Sequence, residues 1–330
     1  MSRRPVRLSD LPVIDDRGLR VLLPMRSAVM ALEGALRDGT APGAAPARTS
    51  ILVEAGELLL MPAASHRYVG VKLASVAPDN ANQGLPRIQG IYVLFDSYTL
   101  TPRALIDGIA LTSWRTPAVS AVAVRHLSPQ RPVRLVAIGT GPQGLGHVEA
   151  IAAIRPVSHV TIAGRDRGRA EEAAVRVARM GLPVSVVAGS DLPDDLEEPI
   201  GHADVVVCAT TSRRPVFDSA WLSPEALVVA VGSHEPGARE VDTALVERAT
   251  VVVETREAAL REAGDLMIPI NEGAVGAEVI AGDLAELATG QVLVEPGRPR
   301  LFKSVGEAWE DLVVASAALD QLMDTAEGLR

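Results

Sequence analysis

The chain reads as an α/β protein, a doubly wound parallel sheet joined to a smaller α+β domain. Two observations predict this. Beyond about Val133, short and largely apolar runs at 134–138, 159–163, 184–188, 204–209, 227–232 and 250–254 alternate with helical patterns. Strands that are apolar on both faces belong to a parallel sheet covered on both sides. Before that point the strand-like runs come in series, at 49–53, 57–61, 68–76, 90–95 and 103–111, separated by short turn clusters. Strands in series are the pattern of an α+β domain.

Taken in order, the first domain opens with a helix over 24–37, followed by a low-complexity loop at 40–47 and then the strand series. Thr116-Pro117 reads as a helix cap with proline at the first helical position, opening an apolar helix from Ala118 to about Leu127. The domain junction is placed there. In the second domain a helix over 167–180 follows Asp166 as its N-cap and stops at Gly181-Leu182-Pro183. The last segment, 300–323, holds a short strand ending at Lys303 and a helix carrying Trp309, Leu312 and Leu319. The expected division is therefore 1–115 with 303–330, and 116–302.

Composition narrows the function. The 330 residues carry 32 Lys and Arg against 41 Asp and Glu, a net charge of −9 at pH 7. The pI is about 5.3 and the mean hydropathy +0.20. Without a basic run, nucleic acid is not an expected partner. No apolar stretch reaches the roughly 18 to 20 residues of a membrane span. Asp15-Asp16 falls where a signal peptide needs an apolar segment, so a cytoplasmic protein is expected. Cys208 is the only cysteine, and the histidines at 66, 126, 147, 159, 202 and 234 lack ligand spacing, so no metal site is expected.

The run 135–138 leads directly into Gly139-Thr140-Gly141-Pro142-Gln143-Gly144, and a helix follows. Between a strand and a helix, GxGxxG has a physical purpose. The first glycine makes the tight turn, the second lets a pyrophosphate approach the backbone, and the third allows helix and strand to pack closely. This makes the second domain a Rossmann-type dinucleotide-binding domain. The next strand ends in Gly164-Arg165-Asp166, with Arg165 where a 2′-phosphate partner is wanted. NADPH is expected on that basis; NADH stays possible if Asp166 binds the ribose instead. Thr210, Thr211, Ser212 and Ser233, each after an apolar strand, are expected on the nicotinamide side of the site.

Of the 32 basic residues only Lys72 and Lys303 are lysine. Either codon bias left two by accident, or a compact ammonium does something there that guanidinium cannot. Lys72 lies in the apolar run 69–75, away from any solvated helix face.

Met61-Pro62, Gly70-Val71-Lys72, Gly84-Leu85-Pro86, the run 110–116 (ALTSWRT), the loop 139–147 (GTGPQGLGH) and Phe302-Lys303-Ser304-Val305-Gly306 occur in sequence. With these motifs the chain resembles the ornithine cyclodeaminase/mu-crystallin family over nearly its whole length. The resemblance implies an N-terminal substrate-binding and dimerisation domain, a C-terminal helix returning to it, and a homodimer. It also implies that Arg48, Lys72 and Arg115 match the family's carboxylate-binding cations, with Met61 among the substrate-binding residues and Lys303 among those binding the cofactor. Arg115, just before Thr116-Pro117, gains attraction for an anion from the helix dipole. Three cations in one pocket repel one another until an anion arrives.

The family divides by chemistry. Cyclodeaminases take hydride from the α-carbon of a diamino acid, lose ammonia on ring closure and return the hydride to the cyclic imine; relatives include imine reductases and some alanine dehydrogenases. Where the cyclodeaminases carry an aspartate after a late strand, this chain has His234, and two residues before Met61, where an acid is expected, it has Leu59. Both departures remove charge that a distal ammonium needs, although Glu235 can restore some. The expected function is NADPH-dependent reduction of a cyclic α-imino acid, pyrroline-2-carboxylate or piperideine-2-carboxylate. Lys72 would keep the imine nitrogen protonated, and His234 is either a polar wall of the site or a strand-end histidine without a role. The alternatives are an ornithine cyclodeaminase and a non-catalytic NADPH-dependent binding protein of mu-crystallin type.

Overall fold

The computed structural model describes residues 6–39, 46, 48–189, 192 and 194–328. Of the low-complexity stretch 40–47, only Pro46 lies among them. The chain divides into two compact units, one running to Thr116 and resuming at Glu307, the other Pro117–Gly306.

The first unit contains β1 (Val13–Ile14), α1 (Asp16–Leu22), α2 (Met25–Arg37), β2 (Thr49–Val53), β3 (Gly56–Ala64), β4 (Tyr68–Val76), β5 (Ile88–Asp96) and β6 (Pro102–Asp107). They form one six-stranded sheet in the order β1-β6-β5-β4-β3-β2, antiparallel except that β1 runs parallel to β6. Register puts Met61 opposite Lys72, Lys72 opposite Tyr92, Tyr92 opposite Ile106 and Ile106 opposite Ile14. Directly paired residues share a face, so these five form a single transverse row, and all are buried. The helix Ala308–Gly328 at the C-terminal end of the chain packs on β3, β4 and α2.

The end of β6 corrects two expectations. The run 103–111 is not one strand: the Asp107 carboxylate accepts the N–H groups of Ile109 (2.8 Å) and Ala110 (3.0 Å), stopping the strand and opening α3 (Gly108–Leu127). Thr116-Pro117 is therefore not a helix start, because Pro117 lies inside α3. Proline there removes the N–H that would bond the carbonyl of Ser113. The division between the units falls at this interrupted bond.

The second unit continues with β7 (Val133–Ile138), α4 (Pro142–Ile154), β8 (Val157–Gly164), α5 (Arg167–Arg179), β9 (Val184–Ala188), α6 (Glu197–Gly201), β10 (Val205–Cys208), β11 (Leu227–Ala230), α7 (Thr243–Arg248), β12 (Thr250–Val253), α8 (Arg256–Glu262), α9 (Gly264–Asn271), β13 (Ile280–Asp283), α10 (Leu284–Ala288) and β14 (Arg300–Lys303). The eight strands are all parallel, in the order β13-β12-β14-β11-β10-β7-β8-β9. The sheet order reverses direction between β7 and β10, the switch point where such sheets bind ligands. The last strand in sequence, β14, is inserted between β11 and β12, with Lys303 paired to Ala230 on one side and Val253 on the other. Val136, Val206, Val228, Val251 and Leu301 are fully or almost fully buried on this sheet, which is why its central strands β10 and β11 carry only apolar residues. Just past β12, the Glu254 carboxylate accepts the Ser304 hydroxyl and the N–H groups of Val305 (2.9 Å) and Gly306 (2.8 Å), fixing the turn after β14. No helix among the described residues is long and apolar enough to cross a membrane.

Candidate active site

In the first unit the predicted cations meet buried carboxylates. Lys72 on β4 is 3% exposed. Its ammonium lies 2.7 Å from Asp311 Oδ2 and donates to Thr112 Oγ1 at 3.3 Å. Arg115 donates from Nη1 to Glu310 Oε2 (2.5 Å) and from Nε to Asp311 Oδ1 (3.3 Å). Both acids stand in the first turn of the C-terminal helix. This overturns two parts of the electrostatic expectation. Arg115 sits within α3, away from its start, so the dipole argument does not apply. Nor do the cations await an external anion, since Glu310 and Asp311 already balance Lys72 and Arg115. Arg48 immediately precedes β2, whose Thr49 pairs with Leu60, so the register leads Arg48 toward the Met61–Lys72–Tyr92 row.

Burial pulls the Lys72 ammonium from 10.5 down to about 8, against the attraction of Asp311 and with the repulsion of Arg115 adding to it. Burial likewise pushes the Tyr92 phenol well above its ordinary value. Its hydroxyl lies without a hydrogen-bond partner over Gly70, where a Cβ would stand 1.9 Å away.

In the second unit the three glycines of the loop do different things. Gly139 has φ +126°, and a Cβ there would lie 2.3 Å from the Ala209 carbonyl oxygen. On Gly144 a Cβ would lie 2.0 Å from the Gly139 carbonyl oxygen. Around Gly141 nothing comes within 4 Å of a Cβ. Gly141 is the N-cap of α4, without a side-chain cap, and Pro142 follows at the first helical position. The loop is thus closed against the protein at its first and third glycines and open at the second, as a phosphate needs. Gln143 Oε1 is buried without a partner beside it, an acceptor suited to a ligand hydroxyl. The methyl of Thr140 lies against Gly164, where a Cβ would meet it at 2.5 Å. Past β8, the Asp166 carboxylate caps α5 by accepting the Arg169 N–H (2.9 Å), whereas Arg165 is exposed. His147 on α4 is buried between the Gln143 carbonyl (2.7 Å) and Ser120 Oγ (2.9 Å). Burial lowers it to about 4, so it stays neutral.

The polar residues after β10 and β11 are placed in three ways. Thr210 donates its hydroxyl to Glu240 Oε1 (2.7 Å), and Ser212 donates its own to the Arg214 carbonyl (2.7 Å). Ser233 is buried and donates to the Ala238 carbonyl (2.6 Å), while Thr211 and His234 are exposed. Lys303 is 1% exposed; its ammonium lies 3.0 Å from Asp265 Oδ2 and donates to the Ser233 carbonyl at 2.6 Å. Glu235 is exposed and bonded to Arg213 at 2.6 Å. No cluster of acidic, histidine or cysteine side chains among the described residues could hold a metal.

Comparison with known proteins decides the family. The family model described as "Ornithine cyclodeaminase/mu-crystallin family" matches residues 17–326. The chain belongs to the ornithine cyclodeaminase/mu-crystallin family. It is 34% identical to a Δ1-pyrroline-2-carboxylate reductase of Bacillus cereus over 96% of this chain and 98% of that one. It is similar in structure to the Δ1-pyrroline-2-carboxylate reductase of Thermococcus litoralis in complex with NADH and L-proline (TM-score 0.88, 29% identity, 96% of this chain and 98% of that one). An archaeal alanine dehydrogenase dimer with bound NAD is also similar (TM-score 0.87, 25% identity, 96% of this chain and 97% of that one).

Within this family member, sequence reading missed Thr112, Glu310 and Asp311 beside Lys72, and Glu240 and Asp265 beside Lys303. A signal for the first pair was present: two adjacent acids interrupt the apolar pattern of the last helix between Trp309 and Leu312. The ion pair carries a definite expectation. Replacing Asp311 by asparagine leaves Lys72 buried beside Arg115 without its counter-charge. Urea denaturation of Asp311→Asn is expected to show a loss of about 3–5 kcal/mol, and an NMR titration should find the Lys72 amine below its value of about 8. An unchanged midpoint and titration would mean that the carboxylate does not support the ammonium.

Proposed function

We propose that the protein reduces a cyclic α-imino acid, pyrroline-2-carboxylate or piperideine-2-carboxylate, to the cyclic amino acid with a nicotinamide dinucleotide. The observation that carries this reading is the charge arrangement around Lys72. The two carboxylates beside it, Glu310 and Asp311, are both engaged by cations. Leu59, on the same sheet face through its pairing with Ala74, supplies no acid, and Glu235 is bonded to Arg213. A diamino acid would bring a distal ammonium for which none of these carboxylates is set aside, whereas a cyclic imino acid brings none. The reductase names of the Bacillus and Thermococcus relatives support the same choice.

Gly139, Thr140, Gly141, Pro142, Gln143 and Gly144 would hold the dinucleotide's pyrophosphate and adjoining ribose, with Thr211 and Ser212 beyond β10. When bound, the dinucleotide supplies the hydride that reduces the carbon–nitrogen double bond. Arg48 and Arg115 hold the substrate carboxylate, Arg115 while keeping its bonds to Glu310 and Asp311, and Met61 and Leu59 give the ring an apolar floor. Lys72, an ammonium with a value of about 8, donates a proton to the imine nitrogen and recovers it from solvent, so the carbon accepting the hydride is electrophilic.

Incubation with reduced dinucleotide and pyrroline-2-carboxylate should yield proline, and incubation with NAD and ornithine should release no ammonia. Proline and ammonia from the second mixture alone would refute the reductase reading. Lys72→Met should lose about a thousandfold in kcat/KM while binding dinucleotide normally. Above pH 8 the wild-type kcat/KM should fall as Lys72 loses its proton, a limb that the residual activity of Lys72→Met should lack.

Arg165 supports NADPH over NADH. Asp166 is occupied as a helix cap, and the Arg165 guanidinium is exposed directly after β8. Arg165→Ser should raise the KM for NADPH about tenfold or more and leave that for NADH unchanged; an equal change in both would overturn the NADPH preference.

A homodimer is supported by the first unit's sheet. Ile51, Leu58, Ile91 and Val13 lie on the face opposite Lys72, and all are exposed. An uncovered apolar sheet face of this kind marks an association surface, and the similar alanine dehydrogenase is a dimer. Light scattering should give about twice 34.6 kDa, and Ile91→Glu should halve it. A wild-type mass of one chain would remove the dimer.

A further inference from the structure

Beyond the last rung of β10 and β11, where Cys208 pairs with Ala230, the ladder does not continue between the two strands. The N–H groups of Thr210 and Gly232 both turn to a single carboxylate, Glu240. Oε1 accepts the Thr210 N–H and hydroxyl, each at 2.7 Å, and Oε2 accepts the Gly232 N–H at 2.6 Å. Glu240 is itself held: its own N–H and that of Val241 donate to Asp265 Oδ1 (2.6 and 3.0 Å), and Asp265 Oδ2 faces Lys303. All three side chains are at most 1% exposed. Lys303 also grips the loop after β11 through the Ser233 carbonyl. Contact runs on to the glycine loop, because the Gly139 turn rests on the carbonyl of Ala209, the residue before Thr210. Gly232 fits only as glycine: a Cβ would lie 2.1 Å from the Thr210 carbonyl oxygen and 2.5 Å from Glu240 Oε1.

We infer that Glu240 is a positioning residue for the dinucleotide, held by Asp265 and Lys303, and that this chain of buried charges sets where the ends of β10, β11 and the glycine loop stand. The inference rests on the reading of the second unit as a dinucleotide site. It assigns Lys303 and Thr210 to the support of that site, acting through backbone rather than by touching the ligand. Side-chain packing alone does not provide this support, since two inward-pointing N–H groups need an acceptor between them. Burial raises the Glu240 carboxyl, with Lys303 opposing the shift.

The test measures NADPH and NADH binding to the full chain by nicotinamide fluorescence, with no imino acid present. Glu240→Gln replaces one acceptor oxygen with an amide that meets an N–H. The Kd of the better-bound dinucleotide should rise about tenfold, and hydrogen exchange should quicken in peptides covering 209–212 and 231–234. In turnover the dinucleotide KM should rise with kcat at saturation within about threefold and the imino-acid KM unchanged. An unchanged Kd would overturn the inference, as would equal losses in kcat and in both KM terms, the mark of a merely structural defect. If Glu240→Gln does not fold, Thr210→Val removes only the hydroxyl donor to Oε1; it should raise the Kd about threefold, and no rise overturns the inference. A wild-type chain that binds neither dinucleotide would instead overturn the proposed function.

Discussion

A buried ammonium is stable only where a carboxylate is fixed beside it, and each unit of this protein is organised around one such pair. Lys72 lies 2.7 Å from Asp311 and Lys303 lies 3.0 Å from Asp265. Lysine suits both positions because its charge is compact and its length lets it cross from a strand to a neighbouring element. In the first unit the pair connects β4 to the C-terminal helix, so the last helix is bound to the first domain's sheet by charge as well as by apolar packing. In the second it connects β14 to α9 and, through Glu240, to the ends of two further strands. Removing one member of such a pair leaves an uncompensated charge in an apolar surrounding, which makes these four residues more sensitive than their number suggests.

The two pairs differ in one respect that matters for chemistry. Lys72 has Arg115 as a second cation nearby, and burial together with that repulsion outweighs Asp311, bringing its value to about 8. The folded-state value lies below the unfolded one of 10.5. Between about pH 8 and 10.5 the unfolded chain therefore holds a proton that the folded chain has released, and folding becomes more favourable as pH rises through that window. Below about 8 the cost of burying the charge is present in full. An ammonium kept charged at neutral pH at a cost in stability is what a proton donor requires, and a structural lysine does not.

Much of the second unit was legible because its strands are buried on both faces. Runs such as 227–230 contain no polar residue, and Asp166 with Gly181 marked both ends of α5 from side-chain chemistry alone. What could not be read was set by contacts distant in sequence. The run 103–111 looks continuous because Gly108 to Leu111 is as compatible with a strand as with a helix; the capping bonds of Asp107 decide it, and an aspartate before a glycine reads equally well as a turn. Thr116-Pro117 misleads for the opposite reason, since it carries a strong local start signal inside a helix that tertiary packing holds together. The cations Lys72 and Arg115 were found, but their partners Glu310 and Asp311 lie about two hundred residues away, and nothing local predicts which acid of forty-one pairs with which base.

The charge balance at Lys72 also separates the two reactions more sharply than the residue substitutions do. A pocket built for a diamino acid must hold an anion for the carboxylate's opposite end, and that acid must stay uncommitted until the substrate arrives. Here Glu310 bonds Arg115, and Asp311 is shared between Arg115 and Lys72. Releasing either for a distal ammonium would strand a buried guanidinium or ammonium, so the energy gained on the substrate would be offset within the protein. A cyclic imino acid makes no such demand. Its only cation is the protonated imine, which in the proposed reaction forms by proton transfer from a group already charged and already balanced. The arrangement therefore favours a substrate whose positive charge is made in place over one that arrives carrying it.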